Sequence, residues 1–156
     1  MLRLDGAASR AIALATLVAC SAPRPPVEAA PAAAADRVEE ASHRPIRHAV
    51  ASGGRSVVAY HPDPDPIPLN EPFEVELRIA HAADPARPVE GAQVYVTGWM
   101  PDHEHGMATL PETTELGGGT YRARGLLFHM PGDWELRVDV VVEREPERAT
   151  FEVRLE

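Results

Sequence analysis

Lysine is absent from this 156-residue chain, cysteine occurs once, and aromatic residues make up only 5%. Each shortage excludes a class of protein. One cysteine permits neither an intramolecular disulfide framework nor a thiolate-cluster zinc site. With 24 acids against 15 Arg, the formal charge of -9 argues against nucleic acid, which is bound through excess cations and released counterions. No apolar run approaches the roughly 18 residues of an ordinary membrane-spanning helix. The scarcity of aromatics beside 16 Pro and 11 Gly means that part of the length cannot pack, and the length itself fits one domain with appendages.

The first twenty residues read as an address. Arg3 and Arg10 flank a positive n-region, Ala11 to Ala19 is a short apolar run, and Leu17-Val18-Ala19-Cys20 closes it, the order of a secretory signal with its cut site. The segment resembles the lipobox of bacterial lipoproteins, in which the cysteine becomes the acylated first residue. That resemblance implies lipidation at Cys20, a membrane partner reached through the lipid anchor, and a periplasmic location in the cell envelope. Ser21 after the cysteine implies the outer membrane in a Gram-negative cell. More than one acyl chain is needed for a lasting anchor.

Residues 21–54 read as a disordered tether. They hold five Pro, an Ala run at Ala32 to Ala35, and no Phe, Trp, Tyr, Leu or Met, so they cannot bury enough apolar surface to offset ordering. Almost every large apolar residue lies in 55–156. Phe73, Val75, Leu77 and Ile79 alternate with Glu74, Glu76 and Arg78, and Trp134, Leu136, Val138, Val140 and Val142 share one face. That period of two marks strands with one buried and one wet face. Further strands are expected over 56–60, 92–99, 107–110, 120–130 and 148–156, with turns at Pro62 to Pro68, Asp84-Pro85, Gly117 to Gly119, Pro131-Gly132 and Pro146, and a bulge at Gly125. About seven short strands and no convincing helix predict an all-β domain, an immunoglobulin-like antiparallel sandwich. Its nine Arg against nineteen acids leave the domain at -10.

Chemistry concentrates in two segments. Met100, His103, His105 and Met107 fall within eight residues, and His129-Met130 adds one more of each type. Alternate side chains on an extended chain share a side, which groups His103, His105 and Met107. Thioether with imidazole is a soft, neutral donor set suited to Cu(I). In an antiparallel sandwich the third-to-fourth and fifth-to-sixth connections emerge at one pole, and these are the two segments. The connection from His61 should share that pole, with His81 near the other. The same residues admit a metal-free reading, with Met100 and Met130 as core residues capping the pole, His103 and His105 as solvated histidines, and His129 as a structural one. Asp102, Glu104, Glu112 and Glu115 read as the wet face of the loop.

The run Trp99-Met-Pro-Asp-His-Glu-His-Gly-Met107, then Gly119-Thr-Tyr121, then Phe128-His-Met-Pro-Gly-Asp-Trp134-Glu-Leu-Arg-Val138, resembles the YtkA-like domain, which is related to the FixH family. The resemblance spans about residues 72–156 and implies an exported β-sandwich, sometimes associated with copper handling or respiratory oxidase assembly. A copper-receiving or envelope protein is the partner it implies. FixH proteins carry a spanning helix that this sequence does not show. No Gly-x-Ser-x-Gly elbow, His-Glu-x-x-His pair or phosphate-cradling loop occurs, so a binding module is expected rather than an enzyme. A blue-copper carrier would need a thiolate in the mature domain. The two open readings are a copper-binding module with Met100, His103, His105, Met107 and His129 as ligands, and a metal-free accessory or protein-interaction sandwich.

Overall fold

A computed structural model describes residues 47–156. The expected signal segment with Cys20 and residues 21–46 of the expected tether lie outside the described residues. The ten strands are β1 (Arg47–Val50), β2 (Ser56–Asp63), β3 (Phe73–His81), β4 (Asp84–Pro88), β5 (Gln93–Met100), β6 (His105–Gly106), β7 (Glu112–Gly117), β8 (Thr120–Leu126), β9 (Gly132–Val142) and β10 (Glu145–Leu155). They form two antiparallel sheets, one ordered β1-β2-β3-β8-β7 with β4 beside β3, the other β10-β9-β5-β6. The fold is the all-β sandwich that the alternation predicts. Val75, Leu77 and Ile79 from one sheet and Trp134, Leu136, Val138 and Val140 from the other are buried between the layers, which is where burial of apolar area contributes most. Gly125 is the extra residue where β8 shifts register against β3, between Phe73 opposite Leu126 and Glu74 opposite Arg124.

Several strand boundaries differ from the sequence pattern: β8 stops at Leu126 rather than 130, and Pro62 and Pro146 lie within β2 and β10 rather than in turns. The stretch 107–110 is not a strand: β6 precedes it and β7 follows it, and Pro111 has no N–H with which to extend a ladder. The Asp84-Pro85 turn is instead the short, wholly exposed strand β4, held to β3 at Ala80 and His81. The domain also begins upstream of residue 55. β1 pairs with β2 from Arg47 opposite Tyr60 to Val50 opposite Val57, and Ala51 is buried. It is held by ladder hydrogen bonds and by Arg47, which lies over the Tyr60 ring at 5.4 Å, and hydrophobicity signals neither. The following turn is fastened to β10: the Ser52 N–H donates to the Arg148 carbonyl at 2.8 Å. The buried Glu147 carboxylate accepts from the Ser56 hydroxyl and, at 3.1 Å, from the Arg55 N–H. A chain beginning at Arg55 should therefore melt roughly 5 °C or more below one beginning at Ser21, since about 1 kcal/mol moves a domain of this size by several degrees. Superimposable melting curves would return the boundary to residue 55.

The Gly119-Thr-Tyr121 element is a structural clamp. The Tyr121 hydroxyl donates to the Val89 carbonyl at 3.0 Å and accepts from the Ala92 N–H at 3.2 Å. Burial pushes the phenol up from its ordinary pKa, against the Ala92 N–H, which lowers it, so it remains a donor. Gly119 has φ +71, and a β-carbon there would lie 2.5 Å from the Ile79 carbonyl oxygen.

Strand direction sorts the connections. Residues 64–72, 101–111 and 127–131 share one pole, joined where the Asn70 N–H donates to the Phe128 carbonyl at 2.8 Å. The turns at 51–55, 117–119 and 143–144 lie at the other, together with His81, which is opposite Ser56. Both ends of the folded domain reach the first pole: Arg47 is opposite Tyr60 and pairs with Asp65 at 3.2 Å, and Leu155 is opposite Gly132.

Candidate functional site

The first pole is built around β5 and its return. After Met100 the chain makes a 3-10 turn over Pro101–His103, and Glu104 adopts a left-handed conformation with φ 53. That residue reverses the chain so that β6 pairs back on β5, with His105 opposite Met100 and Gly106 opposite Trp99. Directly paired residues project to the same side, so His105 shares the inner face with Met100. The Met107 N–H then donates to the Gly98 carbonyl at 3.2 Å, which continues the return by one residue.

Gly98 makes this closure possible. A β-carbon there would collide with the Phe128 ring and lie 3.1 Å from Met107 Cγ. Phe128, fully buried, stacks on Trp134 with ring centroids 4.6 Å apart. The Trp134 indole N–H donates to the Met130 carbonyl at 2.9 Å. Trp134 thus holds the 127–131 connection by both its ring and its nitrogen.

Three imidazoles gather over this platform. His105 lies 5.7 Å from His103 and 5.4 Å from His129 by ring centroid, and the His105 and His129 rings stand edge-on to Trp134 at 6.1 and 5.5 Å. His103 is exposed, while His105, Met107 and His129 are half-buried. His105 Nδ1 lies 3.1 Å from the Gly106 carbonyl. His129 Nδ1 is buried with no hydrogen-bond partner among the described residues, an uncompensated cost for a polar atom.

The five residues singled out as ligands therefore fall at one pole but not in one environment. His103, His105 and His129 come together. Met107 sits beside them over Gly98, its sulfur 3.9 Å from the Thr109 hydroxyl. Met100 is turned into the core at 2% exposure, and its methyl occupies the space that a β-carbon on Gly132 would need, 2.6 Å away. Met130 is half-buried against the core. Trp134, Phe128 and Gly98 shape the site and were not recognised as doing so from the sequence. The available signals were a glycine inside a strand pattern, which marks a close approach, and an aromatic pair flanking a Pro-Gly turn.

Two rings bound to one ion through nitrogens about 2.0 Å from it have centroids roughly 5–6 Å apart, the separation seen here. As they stand, no group of three or more His, Cys, Asp or Glu among the described residues is arranged to hold a metal ion.

The fold and site define an all-β sandwich with an imidazole and thioether cluster at the pole where its N-terminal strand begins. Residues 53–139 match the YtkA-like family, and the chain belongs to that family. Neither a curated protein nor a solved structure matches it.

Proposed function

We propose that this is an exported, lipid-anchored binding module, not an enzyme, that takes Cu(I) through His103, His105, His129 and Met107 for copper handling or as an accessory to respiratory oxidase assembly. The observation that carries the reading is the convergence of three imidazoles on Trp134, one with a buried, unpartnered nitrogen. Nitrogen and thioether donors without charge favour a soft monovalent ion. The ion would hold the rings in place and satisfy His129. Met100 belongs to the core in this reading and supports the site from beneath.

Titration of the mature domain with Cu(I) under reducing conditions, against a competing chelator, tests the proposal. Saturation at one equivalent with a change in Trp134 emission is expected. No binding above that of an unrelated domain would leave the metal-free protein-interaction sandwich. The anchor is tested separately: Cys20→Ala should accumulate as unprocessed precursor without lipid.

A further inference from the structure

The same pole carries two features that metal binding does not require. One is exposed apolar surface. Leu110 is 94% exposed and Leu69 is 38% exposed, and they lie on opposite sides of the 127–131 connection: Asn70, next to Leu69, bonds Phe128, while Pro111, next to Leu110, lies against Gly125. The other is charge of a single sign. The connections 64–72, 101–111 and 127–131 contain no Arg, whereas Arg55, Arg87 and Arg144 lie toward the other pole. Asp65 and Asp133 at the histidine pole are paired with Arg47 and Arg154, and the nearby Arg124 is held by Glu74 at 2.8 Å. Asp63, Glu71, Asp102 and Glu104 are exposed there with no such pairing given by the geometry of these cations.

We infer that this pole is a docking face for a protein surface that presents Lys and Arg around an apolar patch. Leu69 and Leu110 supply the apolar contact, and the four carboxylates flank it. Complementary charge fixes orientation and speeds encounter, and a central apolar contact slows release. A second copy of the domain would bring like charges together at this pole, and an anionic lipid surface would be repelled by it. The inference rests on the copper reading only for what the partner would receive, since docking itself involves no metal.

The test uses the metal-free mature protein and, as probe, a short soluble peptide of Lys and Leu, followed by amide chemical shifts. Expected shifts concentrate in 64–72, 101–111 and 127–131, weaken as salt is raised, and are absent with the Glu and Leu counterpart. Leu69→Ser with Leu110→Ser, and separately Asp102→Asn with Glu104→Gln, should each weaken binding by about fivefold or more, whereas Leu116→Ser and Glu143→Gln should leave it unchanged. Shifts centred on the other pole, equal losses in the control variants, concentration-dependent shifts without peptide, or preference for neutral vesicles would each overturn the proposal. Because copper is absent throughout, failure here leaves the Cu(I) titration untouched, and the reverse also holds.

Discussion

Replacing His103 and His105 together by Ala is expected to lower Cu(I) affinity at least about a hundredfold, because changes beyond the ligands themselves already cost about 10 to 100-fold and two lost donors cost more. His103 is exposed and His105 half-buried, so the metal-free domain should lose no more than about 1 kcal/mol, near the range of surface changes. The comparison variant is His81→Ala, whose imidazole lies at the far pole opposite Ser56; it should bind as the parent does. Competition with a chelator of known affinity gives the ratio. Parent-like affinity in the double variant would remove the loop histidines from any metal site.

The largest effect on stability is expected at Gly119. Its left-handed conformation costs a residue with a β-carbon about 1 kcal/mol or more, and the added carbon would meet the Ile79 carbonyl at 2.5 Å and Pro88 Cβ at 2.8 Å. Neither neighbour can swing away, as one is ladder backbone and the other a ring. Gly119→Ala should therefore destabilise by roughly 2–5 kcal/mol, adding overpacking to backbone strain. Gly118 provides the control: its φ of +59 is also left-handed, but nothing lies within 4 Å of a β-carbon there. Gly118→Ala should cost about 1 kcal/mol. Urea unfolding of the two variants separates the contributions, and equal midpoints would mean that the contact with Ile79 carries no energy.

The sandwich was legible because its central strands obey a period of two: β3 and β9 declare their buried faces in Phe73 to Ile79 and in Trp134 to Val142. The pairing of the poles was legible for a related reason, since alternation of strand direction alone puts residues 101–111 and 127–131 at one end. β1 and β6 were not legible. Each is held by backbone pairing along four and two residues, and main-chain hydrogen bonds leave no mark in the choice of side chain. The separation of Met100 from Met107 was equally hidden. Both are thioethers seven residues apart, and only the folded return of the chain shows that one is buried against Gly132 while the other lies over Gly98. The family motif itself divides in the same way: Gly119, Tyr121, Gly132 and Trp134 serve the packing, so membership predicts the architecture more directly than the chemistry at the pole.

Leu155, opposite Gly132, lies at the same pole as the histidines, two strands away from β5. A tag, dye or solid support joined after Leu155 would share the histidine pole, and a polyhistidine tag would add competing imidazoles to a Cu(I) titration. The Glu143-Arg144 turn at the far pole is exposed, and both residues already tolerate left-handed φ values of 52 and 72. A cysteine introduced there for coupling would leave the whole histidine end open to solution, and it would be the one thiol among the described residues.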